Sequence, residues 1–131
     1  MDAFDADVLI YAAGSQPLGG PVRALIHDAG DPAGIGSLLL VPELLAKPMR
    51  RGWTEELTAL GSLLAQLDLR PVDGPTAELA AELGATYSLR ALDATHLATA
   101  VLAGADRFVT NNRRDFPTSI AEISITYPDQ L

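Results

Sequence analysis

Apolar residues recur along this chain at two spacings, with Gly and Pro marking most changes between them. The stretch 53–67 places Leu57, Leu60, Leu63, Leu64 and Leu67 at the three-and-four interval of an amphipathic helix. Residues 92–103 repeat that spacing through Leu97, Ala98, Val101 and Leu102, with Gly104 as the stop. Pro21 is placed to open a helix through Val22, Leu25 and Ile26 that ends at Gly30, after a loop over 14–20. Beyond the turn Asp73-Gly74-Pro75, the residues Leu79, Ala80 and Leu83 predict another helix, stopped at Gly84. Short apolar runs at 34–36, 67–72, 107–110 and 123–127 read as strands, the last ended by Pro128. From Ser37 to Leu45 almost every side is apolar, so periodicity does not separate strand from helix, and a helix is preferred after the short strand at 34–36. The opening Phe4 to Ala13 is equally apolar, and its second half passes for a buried strand on pattern alone.

Helices alternating with short apolar strands imply a parallel sheet covered on both faces, a three-layer α/β/α sandwich in a single domain over 1–131. A chain of 131 residues and 48% hydrophobic content can bury one core, and no apolar run nears the roughly 20 residues of a membrane span. Acids stand near Met1 where a secretory signal carries Lys or Arg, and cysteine is absent. A cytoplasmic protein away from membranes is the expectation. Missing cysteine also excludes disulfides, thiolate zinc sites and cysteine nucleophiles.

Nine basic against seventeen acidic residues give a net charge of −8, which opposes general nucleic-acid binding. The objection weakens where acids gather in a cleft that holds cations, because bound metal reverses the local field. Basic residues cluster at Lys47, Arg50 and Arg51 and again at Arg107, Arg113 and Arg114.

In open parallel sheets ligands collect beyond the carboxyl ends of the strands, so acids just after strands are the candidates for chemistry. Asp5 follows Ala3 and Phe4, Asp93 lies in the first turn of its helix, and Asn112 and Asp115 follow the strand ending at Thr110. Glu43 sits among leucines, where a carboxylate needs a partner or a metal. Such acids suit Mg²⁺, a hard cation that takes one or two carboxylates, waters and substrate phosphate oxygens. Paired ions about 4 Å apart can activate water for in-line attack on a phosphodiester. Each residue also has an ordinary role open to it. Asp5 and Asp93 suit helix caps, Glu43 suits a surface pair with Lys47, and Asp115 suits a turn. His96, three residues after Asp93 on the same helical face, is placed to donate to it, with a packed or surface histidine preferred, and Trp53 reads as a core or interface residue. Thr110 is placed to orient a carboxylate through its hydroxyl, and Asp7 to bind metal through water, with purely structural roles open for both.

Four segments occur in order: Phe4-Asp5-Ala6-Asp7-Val8-Leu9-Ile10, Pro42-Glu43-Leu44-Leu45, Leu92-Asp93-Ala94-Thr95-His96-Leu97-Ala98-Thr99-Ala100, and Val109-Thr110-Asn111-Asn112-Arg113-Arg114-Asp115-Phe116. Together they resemble a PIN domain, and more narrowly the VapC-like toxins of bacterial toxin-antitoxin systems, over almost the whole chain. The resemblance implies a Mg²⁺- or Mn²⁺-dependent endoribonuclease, commonly a homodimer and inhibited by a cognate antitoxin. It carries the family's acids onto Asp5, Glu43, Asp93 and Asp115, with Asn112 as a neutral ligand where many PIN domains have an aspartate. It also places the end of the first strand at Asp5 and a helix start at Asp7.

Two other functions stay open on the sequence. Asp5-Ala6-Asp7-Val8 also resembles the nucleophile motif of haloacid dehalogenase-like phosphatases, which would need a downstream lysine, and Lys47 is the only one. A PIN-like binding protein without cleavage is the second, motivated by Asn112 and the acidic charge.

Overall fold

The computed structural model describes residues 1–131. The elements run β1 (Asp2–Phe4), α1 (Ala6–Ala13), α2 (Gly19–Asp28), β2 (Gly34–Ser37), α3 (Leu40–Arg51), α4 (Thr54–Ala65), β3 (Leu67–Arg70), α5 (Gly74–Tyr87), α6 (Ala91–Leu102), β4 (Arg107–Val109) and β5 (Ser124–Thr126), closing on a 3₁₀ turn at Pro128–Gln130. All five strands pair in parallel in the order β3-β2-β1-β4-β5.

Successive strand residues face opposite sides of a sheet, and the two cores divide accordingly. Phe4 and Val109 join Val8, Leu9, Val22, Leu40, Leu44 and Leu60 on one face. Their neighbours Ala3 and Phe108 join Leu83, Leu97, Ala98 and Phe116 on the other. The result is the expected α/β/α sandwich, with α1 to α4 contributing to one core and α5 and α6 to the other. Glycine is needed where β2 meets β1, since a Cβ on Gly34 would lie 2.5 Å from the Phe4 ring.

Local departures from the pattern have physical causes. Residues 8–13 are helical, as the family comparison rather than periodicity expected, with the Asp5 side chain capping α1. Gly84 does not stop α5, which continues to Tyr87 and ends at Ser88 in the left-handed region with φ 56°. α2 begins two residues before Pro21, which still falls in the first turn where no amide hydrogen is required. No helix is long and apolar enough to cross a membrane.

Candidate active site

β1 and β4 run parallel with Phe4 opposite Val109, so the next residues, Asp5 and Thr110, leave the sheet side by side. Thr110 Oγ1 donates to Asp5 Oδ2 at 2.7 Å, and Asp5 Oδ1 accepts from Ala6 N at 2.8 Å. Asp5 therefore does cap α1, but a cap requires neither a second donor nor burial, and Asp5 is 4% exposed. Burial pushes its carboxyl above the usual range, against the pull of the Thr110 hydroxyl.

Asp7 stands in the first turn of α1 and accepts from Asn111 N through Oδ2 at 3.0 Å. Its Oδ1 is buried without a partner. Burial first, then the Asp5 charge, raises this carboxyl to about 7.

α6 feeds β4 at the amino edge of the parallel sheet, so its own first turn lies over the carboxyl edge and brings Asp93 there. The Asp93 carboxyl is raised by burial, with Asp115 and Glu43 adding to the rise and His96 and Arg90 opposing it. One turn further along α6, His96 is 2% exposed and meets Glu43 Oε2 through Nε2 at 2.5 Å. Glu43, in the first turn of α3, thus pairs with this histidine and not with Lys47. The Lys47 ammonium lies 5.4 Å from the centre of the Trp53 ring instead.

Asp115 and Asn112 form a reciprocal pair. Asn112 Nδ2 donates to Asp115 Oδ2 at 3.0 Å, and Asp115 N donates to Asn112 Oδ1 at 3.2 Å. The Asn112 amide is thereby turned toward Asp115.

The four acids expected from the sequence, Asp5, Glu43, Asp93 and Asp115, share one electrostatic neighbourhood centred on Asp93, and Asp7 belongs to it as well. Asp7, Glu43 and Asp93 occupy the first turns of three helices, whose amino ends favour negative charge. No three of the His, Asp and Glu side chains approach closely enough to hold one ion jointly. The reason is visible in their partners: Asp5 turns to Thr110, Asp7 to Asn111, Glu43 to His96 and Asp115 to Asn112. The donor set nonetheless fits a hard divalent cation, which needs only one or two carboxylates beside its waters. Raised carboxyls and the partnerless Asp7 Oδ1 mark negative charge that the protein leaves uncompensated.

Sequence reasoning missed the engagement of His96, set aside as merely packed, and left Asp7 outside the expected site. The signal for His96 was its place one turn after Asp93; Glu43, 53 positions away, was not legible as its partner. The phosphatase reading fails at Lys47, whose ammonium rests on Trp53 on the exposed side of α3.

Residues 3–118 match the family model described as PIN domain. Among solved structures, a toxin-antitoxin complex from Klebsiella pneumoniae is similar at TM-score 0.79 and 22% identity, covering 100% of both chains. VapBC2 from Rickettsia felis bound to a DNA fragment from their promoter is similar at TM-score 0.73 and 16% identity, covering 96% of this chain and 97% of that one. No curated protein matches the sequence.

Proposed function

This chain belongs to the PIN domain family, whose members are generally nucleases, and on that premise we propose that it is a Mg²⁺-dependent endoribonuclease, with Mn²⁺ as the alternative ion, acting as the toxin of a toxin-antitoxin pair in the cytoplasm. The observation that carries the reading is the crowding of Asp5, Asp7 and Asp93 at the carboxyl edge of the sheet. Burial holds all three carboxyls above their ordinary range, and neighbouring acids add to the rise: Asp93 for Asp5, Asp5 and Asp93 for Asp7, and Asp115 and Glu43 for Asp93. Such a cluster is costly to the fold unless a cation joins it.

In this reading Asp5, Glu43, Asp93 and Asp115 supply the metal ligands, one or two to an ion beside its waters, and Asn112 either adds its amide oxygen or serves by holding Asp115. When bound, the ion supplies Lewis acidity and a water of lowered pKa for attack on the phosphodiester. The chain's own contribution is placement. Thr110 fixes the plane of the Asp5 carboxylate, His96 fixes that of Glu43, and Asn112 that of Asp115. Each bond uses one oxygen and leaves lone pairs for a ligand.

A homodimer and a cognate antitoxin are part of the proposal. An Arg or Lys of the antitoxin reaching the acids would take the place of the metal's charge, so excess Mg²⁺ and salt should both relieve inhibition. The non-catalytic binding protein is the competing reading, favoured by the turning of Asp5, Asp7, Glu43 and Asp115 toward protein donors.

Incubating the purified chain with RNA, with and without a chelator, separates the two. The nuclease reading expects cleavage that stops on chelation and returns with Mg²⁺ or Mn²⁺. Intact RNA under all conditions, together with no calorimetric binding of either ion, would leave the binding protein.

A further inference from the structure

Nine side chains carry Lys or Arg charge, and four of them are committed within the fold. Arg70, Arg107 and Arg113 pair with Asp68, Asp2 and Asp129. Arg23 donates to the carbonyls of Ala12 and Gly14. Lys47, Arg50, Arg51, Arg90 and Arg114 make no ion pair and are exposed, and each stands on a segment that carries a site acid. Arg90 is the N-cap residue of α6, shortly before Asp93, and its charge acts on that carboxyl. Arg114 directly precedes Asp115. The other three occupy the last turns of α3, whose first turn carries Glu43.

Glu43, Lys47 and Arg50 follow the i, i+4, i+7 stripe of one helix face, beside the buried row of Leu40, Leu44 and Pro48. At the rise of an α-helix, Lys47 lies about 6 Å and Arg50 and Arg51 roughly 11 Å beyond Glu43 along the axis. Trp53, 42% exposed, orders two of these cations. The Lys47 ammonium is 5.4 Å and the Arg51 guanidinium 5.9 Å from its ring centre. A chain of net −8 repels a polyanion at long range, so only locally uncompensated cations can hold one.

We propose that the C-terminal half of α3, carrying Lys47, Arg50 and Arg51 with the first and last held over Trp53, is the track that binds the sugar-phosphate backbone of an RNA strand beside the scissile phosphate. The proposal rests on the nuclease reading and adds to it where the substrate lies. A second copy of this chain covering Trp53 and Met49 is the rival occupant of the surface.

The test compares the unchanged protein with Lys47→Gln/Arg50→Gln/Arg51→Gln and with Arg70→Gln, a paired cation outside the track. Cleavage of a single-stranded oligoribonucleotide is followed as kcat/KM over a range of salt, and Mg²⁺ affinity by calorimetry. Removing three phosphate contacts should lower the log-log salt slope by about 2. The deficit should then be roughly tenfold larger at about 50 mM salt than at about 200 mM. Mg²⁺ affinity should hold, and Arg70→Gln should keep the parent slope. Trp53 is the only tryptophan, so titrating the oligoribonucleotide should also change its emission. An unchanged slope in the triple variant overturns the track, and so does a triple variant that differs only in oligomeric mass. Should the unchanged chain cleave nothing, the nuclease reading falls alone. The Trp53 titration still decides the track, since emission indifferent to RNA overturns it.

Discussion

His96 Nε2 and Glu43 Oε2 meet at 2.5 Å across 53 positions of sequence, joining α6 to α3 over the carboxyl edge of the sheet. A carboxylate only accepts, so Nε2 carries the hydrogen. Nδ1 is buried without a partner, so the bond to Glu43 is the one polar contact that holds the ring. One glutamate oxygen is thus fixed and the other left to a ligand.

His96→Leu should accordingly weaken Mg²⁺ binding about 10- to 100-fold, the usual cost of losing a partner that orients a ligating carboxylate. His96→Gln, whose amide can donate to the same oxygen, should recover part of that loss. Calorimetry of both variants checks it, with circular dichroism confirming the fold. Equal Mg²⁺ affinity in all three proteins would reduce the pair to packing.

Thr110→Val keeps the shape of the side chain and removes the donor to the buried Asp5 Oδ2. Leaving a buried carboxylate short of one bond costs on the order of 1–3 kcal/mol. Thermal unfolding of the metal-free variant should show a loss of that size, and its cleavage rate should fall. A melting temperature equal to the parent's would mean that the hydroxyl does not hold Asp5.

Asp7 gives the pH dependence. Its carboxyl rises from 3.8 to about 7 in the fold, so between those values the folded chain holds a proton that the unfolded chain has lost. Its contribution to stability is full below the unfolded pKa and is lost as pH climbs through about 7, a change on the order of a few kcal/mol. Asp7→Asn should flatten this part of the profile in metal-free buffer and raise the melting temperature at pH 7.5 more than at pH 5. Denaturation over that range decides it, and an identical slope in the variant would contradict the buried, crowded carboxyl.

Asn112→Asp replaces the donor on Asp115 by a second carboxylate. The metal-free protein should lose stability through like-charge repulsion, and added Mg²⁺ should raise its melting temperature more than it raises the parent's. A Mg²⁺ shift no larger than the parent's would place residue 112 outside the metal's reach.

Much of this arrangement was legible because it follows from local rules. The strand that ends just before Asp5, the polar run after Thr110 and the first turns bearing Glu43 and Asp93 are set by short-range pattern and by the family motifs. Residues 8–13 were not legible from pattern, since Val8, Leu9 and Ala12 are buried in a helix that is apolar enough to pass for a strand. Gly84 misled as a helix stop. A Cβ there would lie 3.3 Å from Leu89 O, so its missing side chain serves the close return of the chain ahead of α6 rather than a helix end. The links from His96 to Glu43 and from Asn111 to Asp7 join residues far apart in sequence, and only the parallel register brings them together.

The central claim is that the acids around Asp93 form a metal-dependent RNA-cleaving site, and Asp93→Asn tests it most directly. Burial and neighbouring charges act on this carboxyl rather than hydrogen bonds from the protein, so the amide removes negative charge and disturbs little else. The measurement is the initial rate of Mg²⁺-dependent RNA cleavage by the folded variant beside the parent. Loss of a ligand worth several kcal/mol of charge stabilisation should lower the rate by at least about a hundredfold, with the fold intact and the metal-free melting temperature equal to or above the parent's. A folded Asp93→Asn protein that cleaves RNA at the parent rate would contradict the account.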